Sequence, residues 1–240
     1  MSVLAILQAR MSSTRLPGKV LADLAGAPMI LRQIERLRRA KSLERIVVAT
    51  SQEASDDPLV EVLRAAGIET FRGSLSDVLG RFAGALEAFG PAEHIVRLTA
   101  DCPLADWEVI DATVALCIES GVDYASNTPD HRSFPKGLDV EVMRADCLRR
   151  AAAETADPYD REHVTPYLYR HPELFRLAWF SQDADEGEVR WTVDRSDDLA
   201  FVRAVYDGLY AANPAFTSDD VRAFVRARPD LHRFGGDRRL

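Results

Sequence analysis

The sequence predicts an α/β fold: a single-domain, doubly wound, mostly parallel sheet. Three observations carry this. Short apolar runs alternate with amphipathic segments four times between Val3 and Thr99, as strand–helix units do when helices cover both faces of a parallel sheet. The 240-residue length suits one α/β core, and 47% hydrophobic with 28% charged residues is the balance of a globular protein. No internal repeat, low-complexity tract or long linker divides the chain, so one domain over residues 1–240 is expected.

Val3-Leu4-Ala5-Ile6-Leu7 is an apolar run of buried-strand length, and the loop Gln8–Lys19 follows it. Pro28 is placed to open a helix, with Met29, Ile30, Ile34 and Leu37 at helical spacing. Arg32, Arg36, Arg38, Arg39 and Lys41 read as the solvated face of that helix, the last cations complementing its dipole. Arg45–Thr50 is the second buried strand. Asp57 and Pro58 then supply the N-cap and first turn of a helix that Gly67 ends, and Ile68–Phe71 is a short third strand. The next helix begins at Asp77, and Ile95–Thr99 is the fourth strand. Val122–Asn127 reads as a further strand or extended edge, and Thr128–Lys136 as a loop of the kind that carries binding groups. Gly137–Val142 alternates strictly, placing Leu138, Val140 and Val142 on one face and Asp139 and Glu141 on the other. Asp157-Pro158 caps another helix, and Leu174–Ser181 and Val189–Val193 read as strands. Ser196 caps a helix with Leu199, Val202, Tyr206 and Leu209 on its inner face. A last helix runs from about Ser218 to Arg228, and Gly235–Leu240 is a candidate for disorder.

Composition narrows the function. No apolar run approaches 18 residues and no signal-peptide pattern follows Met1, so neither a membrane span nor export is expected. A net charge of −8 argues against nucleic acid as a partner, because that binding draws on cationic surface. Cys102, Cys117 and Cys147 are odd in number and far apart, which indicates neither a zinc site nor a disulfide framework and points to a reducing cytoplasm.

Against this acidic background the loop after the first strand is locally basic. Arg10, Arg15 and Lys19, with the hydroxyls of Ser12, Ser13 and Thr14, leave a strand's carboxyl end, where open parallel sheets bind ligands. Such cations and free backbone N–H groups suit a polyphosphate. The loop is not a P-loop, which would need glycine at Ser13 and a hydroxyl residue at Val20, and no Gly-x-Gly-x-x-Gly is present. Arg10 and Arg15 therefore offer bidentate contact and Lys19 a compact charge. Asp101 and Asp194 each end a predicted strand, and two carboxylates converging on one sheet edge would bind Mg²⁺ bridged to nucleotide phosphates. For Asp101 a helix cap is the competing reading.

Gln8-Ala9-Arg10-Met11-Ser12-Ser13-Thr14-Arg15-Leu16-Pro17-Gly18-Lys19 resembles the signature of cytidylyltransferases of the spore-coat polysaccharide biosynthesis type, relatives of the CMP-Kdo and CMP-sialic acid synthetases. Where that family has glycine this chain has Ser12, and glycine would permit φ > 0 there. The resemblance implies a nucleotide-diphospho-sugar transferase-like sheet and CMP transfer from CTP to an acidic sugar or similar acceptor. It makes Arg10, Arg15 and Lys19 catalytic, with Arg15 and Lys19 near the leaving pyrophosphate. It extends nucleotide contacts to Gln8, Ala9, Ser13 and Thr14, and to Arg72, Ser74, Asp77 and Arg81 near the base. For Asp77 and Arg81 an i,i+4 helix pair is the bland alternative. Thr-Ala-Asp101-Cys-Pro-Leu and Trp-Thr-Val-Asp194-Arg-Ser resemble the family's two Mg²⁺ motifs, while Asp197 and Asp198 are explained by the helix dipole. Asn127, Lys136, Asp139, Glu141 and Arg161 resemble the acceptor segment, with Lys136 set to bind a carboxylate or phosphonate. Arg161, Glu162 and His163 belong to a matching Arg-Glu-His-Val-Thr-Pro-Tyr stretch that the resemblance places at the acceptor site or a dimer contact; a lone histidine is more often structural, and His163 is not read as a base. The resemblance further implies a homodimer and a role in polysaccharide or related biosynthesis. Two other readings stand beside it: a glycosyltransferase using a nucleotide sugar, which lacks its usual Asp-x-Asp here, and a non-catalytic nucleotide-binding relative.

Overall fold

The computed structural model describes residues 2–240. β1 (Val3–Gln8) is followed by a short hairpin of β2 (Asp23–Leu24) and β3 (Ala27–Pro28), then by α1 (Met29–Leu37), β4 (Arg45–Ser51), α2 (Asp57–Ala65), β5 (Thr70–Gly73), α3 (Val78–Phe89), β6 (His94–Thr99) and α4 (Trp107–Ser120). β7 (Tyr124–Ser126), β8 (Glu141–Arg144), α5 (Ala145–Glu154), α6 (Pro158–His163), α7 (Pro166–Tyr169) and β9 (Leu177–Trp179) come next. The chain then forms α8 (Ser196–Leu209), α9 (Ser218–Arg226) and a second hairpin, β10 (Arg233–Phe234) with β11 (Asp237–Arg238).

Seven strands form one sheet in the order β5-β4-β1-β6-β8-β7-β9. The four strands read from the first hundred residues are parallel to one another, and the antiparallel β8 then reverses the sense of the sheet. Alternation along β1 explains its central place. Val3, Ala5 and Leu7 join a core with α1, α4 and α8, whereas Leu4 and Ile6 join a second core with α3 and α5 on the opposite face. The chain leaves β1 towards β4 and β5, then returns to place β6 on β1's other side, so the winding direction switches between β1 and β6. Such a switch opens a crevice at the strands' carboxyl ends.

Several local expectations shift. Asp56, not Asp57, precedes α2, and Asp57 pairs with Arg72 at 2.7 Å. Residues 189–193 form no strand; they run extended, with one bridge between Arg190 and Lys136 and the Val193 N–H donating to the Asp101 carbonyl at 2.8 Å. The 235–240 segment, expected to be disordered, is half of the β10–β11 hairpin and buries Arg239. Asp237 and Arg239 find charged partners inside the fold, which composition alone does not reveal.

Candidate active site

The crevice at the β1/β6 switch is lined by Gln8, Ala9, Arg10, Ser13, Thr14, Arg15 and Lys19 from the loop side and by Thr99, Ala100, Asp101 and Asp194 opposite, enclosing about 220 Å³. Buried Asp56 fixes the loop. Its Oδ1 accepts the Met11 N–H at 2.7 Å, and its Oδ2 accepts from Thr50 Oγ1 and Ser51. Burial raises the cost of the Asp56 charge, yet these donors outweigh it and hold the carboxyl below its ordinary range. The loop closes through Ser13 N–H and Gly18 N–H, both donating to the Met11 carbonyl, and Gly18 takes φ 72, a conformation glycine adopts without strain. Ser12 is exposed and does not share this left-handed backbone, so serine sits there without the strain a positive φ would bring.

Lys19 joins the two predicted aspartates. Its Nζ donates to Asp101 Oδ2 at 3.2 Å, Asp194 Oδ1 at 2.9 Å and the Val193 carbonyl at 2.6 Å. A lysine in a polar loop is expected to be exposed, as Arg15 is, but Lys19 is buried; Arg15 remains 61% exposed while pairing with Asp194 at 2.9 Å. Arg10 is exposed and has no ion-pair partner among the described residues. Burial opposes the Asp194 charge, but Lys19, Arg190 and Arg15 hold its pKa below the carboxylate norm. Two carboxylates meeting at one ammonium group make an all-oxygen, partly exposed donor set. Mg²⁺ takes such a set with phosphates and water, so the residues fit that ion. Asp101 is the more exposed of the two carboxylates. The helix cap that competed for Asp101 is supplied by Asp106, whose side chain accepts the Glu108 N–H at 2.8 Å.

Two further hollows continue the crevice. Gln8 and Arg10 border one that also holds Asp77, Arg97, Arg161 and His163. The Gln8 Oε1 at this seam is buried and has no hydrogen-bond partner among the described residues. Arg97 and His163 then border a third hollow of about 380 Å³ with Arg132, Asp139, Glu141 and Tyr159, closed by Tyr169 and Trp179. Here the arginines are paired internally: Arg97 donates to Glu141 and Arg132 to Asp139. Glu141 also accepts from Tyr124 Oη at 2.7 Å and Thr165 Oγ1 at 2.5 Å. Val164, between His163 and Thr165, has φ 74, a strained conformation for a β-branched residue that turns its two neighbours into this hollow.

Not every predicted residue reaches the cleft. Asn127 is buried and bonds the Leu138 carbonyl at 2.7 Å and the Val140 N–H at 2.8 Å, standing in for a strand neighbour. Lys136 lies outside all three hollows and pairs with Glu188 at 3.6 Å. Arg72 bonds the Ser51 and Glu53 carbonyls, each at 2.9 Å. Ser74 is exposed and accepts the Asp77 N–H. Arg81 is 2% exposed, donates to the Ser74 carbonyl at 2.6 Å and lines no hollow; burial, with Arg10 nearby, lowers its pKa to about 10. Asp77 caps α3 by accepting the Gly80 N–H, and its partner is Arg161 at 2.5 Å rather than Arg81. The sequence reading passed over Arg97, Arg132 and the three rings, which come from four separate elements and one loop and form no local motif.

A family model described as cytidylyltransferase matches residues 4–205. The spore coat polysaccharide biosynthesis protein SpsF of Bacillus subtilis is 34% identical over 240 residues, covering 95% of each chain. A cytidylyltransferase structure from Leptospira borgpetersenii superposes with a TM-score of 0.90 at 30% identity, covering 96% of each chain. The fold is also that of a CMP:2-keto-3-deoxy-manno-octonic acid synthetase complexed with CTP, with a TM-score of 0.66 at 17% identity over 87% of this chain and 99% of that one. A loop cradling a cationic crevice, two aspartates meeting across it and a match over most of the length lead to one assignment: this chain belongs to the cytidylyltransferase family.

Proposed function

We propose that the protein transfers CMP from CTP to an acidic sugar or similar acceptor in a Mg²⁺-dependent reaction, releasing pyrophosphate and serving polysaccharide or related biosynthesis. The observation that carries this is the meeting of Lys19, Asp101 and Asp194 beside Arg10 and Arg15 at the β1/β6 switch. An acceptor oxygen would attack the α-phosphorus of CTP as its bond to the bridging α,β-oxygen breaks. Arg10 and Arg15 would bind phosphate oxygens by bidentate contact, and Lys19 would hold both aspartates in register. Mg²⁺, held by Asp101 and Asp194, would supply charge neutralisation on the phosphates. Catalysis on this reading is positioning plus charge stabilisation, with no covalent intermediate on the protein.

The acceptor belongs in the hollow shared by Arg97, His163 and Tyr159, with Arg97 in the place that sequence reading assigned to Lys136. The octonic acid named for the structural relative supports a sugar acid, and the SpsF similarity supports a role in polysaccharide biosynthesis. Action as a homodimer in the cytoplasm completes the proposal, and among the described residues no helix is long and apolar enough to cross a membrane. Pyrophosphate release tests it, with CTP and a panel of 2-keto sugar acids, with and without chelator and against ATP, GTP and UTP. Release that needs CTP, metal and one of the acids is expected. Equal release with every nucleotide, or full release in chelator, would overturn the reading.

A further inference from the structure

Residues 232–240 lie beyond the stretch the family model matches. The β10–β11 hairpin presses on the start of α8 so closely that a Cβ on Gly235, at φ 61, would lie 2.4 Å from the Asp197 Cβ. Behind the hairpin, Arg239 is fully buried. Its Nη2 donates to Asp198 Oδ1 at 2.8 Å and its Nη1 to the Arg190 carbonyl at 2.7 Å, while Nε and Nη2 both reach the Phe234 carbonyl. The Trp191 indole N–H donates to the Arg239 carbonyl at 2.9 Å. Asp198, also fully buried, accepts the backbone N–H groups of Asp194 and Arg195, each at 2.9 Å, together with the Arg190 guanidinium. Arg190 Nη2 in turn donates to Asp194 Oδ2 at 2.6 Å, on the carboxylate oxygen opposite the one that meets Lys19.

We propose that Arg239, acting through Asp198 and Arg190, is a positioning residue for Asp194: the 233–240 hairpin latches the metal-facing carboxylate in the orientation that meets Lys19. This rests on the nucleotide reading of the crevice. Starting α8 needs only the Asp198 cap, which the Arg195 N–H already satisfies. Burying two guanidinium groups and a carboxylate behind it is costly in desolvation, and an apolar plug would fill the space more cheaply. What the charged chain adds is direction. Each member fixes the next, and groups that orient a ligand carboxylate govern how well it binds metal.

The test uses the full chain with Arg239→Gln, which keeps donors for the carbonyls and removes the charge from Asp198. Asp237→Asn is the second variant. It loosens the hairpin's pairing with Arg195 and Arg190 without stranding a fully buried charge, so it decides the matter if the first fails to fold. Arg233→Ala, exposed on the same hairpin, is the control. Hydrogen exchange at the Asp194 and Arg195 amides reads the latch directly, and calorimetric CTP binding with and without Mg²⁺ reads its purpose. Expected are exchange at least about tenfold faster at those amides with β1 and the middle of α8 unchanged, and Mg²⁺-dependent CTP affinity about tenfold weaker with metal-free affinity unaltered. Unchanged exchange overturns the proposal. So does faster exchange with unchanged Mg²⁺–CTP affinity, or an equal loss with and without metal. Failure of the wild-type protein to bind CTP would instead overturn the nucleotide reading, and the exchange result would still decide the latch.

Discussion

At the ends of β1 and β6, three cations (Arg10, Arg15 and Lys19) face two carboxylates, Asp101 and Asp194. In the hollow walled by Tyr159, Tyr169 and Trp179 the ratio is inverted: Arg97 and Arg132 face Asp130, Asp139 and Glu141, and both guanidinium groups are already paired. In the first region Lys19 and Arg15 are paired and Arg10 alone has no ion-pair partner among the described residues, a surplus charge that a polyphosphate would satisfy on the proposed reading. The second is neutralised from within, so recognition there depends on hydroxyl contacts, ring faces and whatever anion can compete for Arg97. Within one cleft, an unmatched charge marks where a highly charged substrate docks, and matched charges mark where shape decides.

The sharpest way to break this contrast is Lys19→Ala. Loss of the buried cation that holds Asp101 and Asp194 together should cut turnover by about 10²–10³ on the proposed reading. It should also lower the melting temperature, because Asp101 would lose its cation and face an Asp194 held only by Arg15 and Arg190. Arg15→Ala, at 61% exposure, should reduce turnover and leave stability within about 0.5 kcal/mol. If the two variants lost stability equally in urea unfolding, the buried role of Lys19 would be wrong.

In the second region, Arg97→Ala should destabilise by about 3–5 kcal/mol by stranding Glu141. Arg97→Met with Glu141→Gln should recover at least about 1 kcal/mol, because glutamine still accepts from Tyr124 and Thr165 without a stranded charge. Urea midpoints for the single and double variants check this, and additive losses would mean the two side chains are not coupled.

Acid reports on the loop's anchor. The Asp56 carboxyl has a depressed folded-state pKa, so its contribution is present above the ordinary carboxylate range and is lost as pH falls through it towards the folded value. Stability of the native protein should fall below about pH 4, and Asp56→Asn should flatten that fall while costing about 1–3 kcal/mol at neutral pH. An unchanged acid limb in the variant would remove Asp56 from the account. The smallest effect is expected at Trp179→Ala. The lost edge contact with Tyr124 should cost about 1 kcal/mol, with the acceptor KM rising and the CTP KM unchanged.

What the sequence made legible was local. The strand Val3–Leu7 and its basic loop are consecutive, so alternation and residue type sufficed, and the helix after Asp77 declares itself by its cap. Asp101 and Asp194 are 93 positions apart, yet each sits in a recognisable short motif. Lys136 misled because strand-like spacing around it says nothing of the Arg190 segment that claims its backbone and leaves its ammonium at the surface. Arg97 was passed over because its value lies in facing Glu141, a partner 44 residues away on an antiparallel neighbour. The 235–240 tail read as a candidate for disorder for a similar reason: the groups that neutralise Arg239 and Asp237 belong to residues 190–198.

The contact between Lys19 and Asp194 spans 175 positions of the chain. During synthesis at roughly 5–20 residues per second, about 9 to 35 s therefore separate the two partners' appearance. Throughout that interval the basic loop exists without one of the carboxylates that restrain it. A nascent chain carries the basic loop long before it carries the carboxylate that pairs with Lys19, so the completed crevice, and with it any activity it supports, should appear abruptly, late in translation, and not grow with chain length.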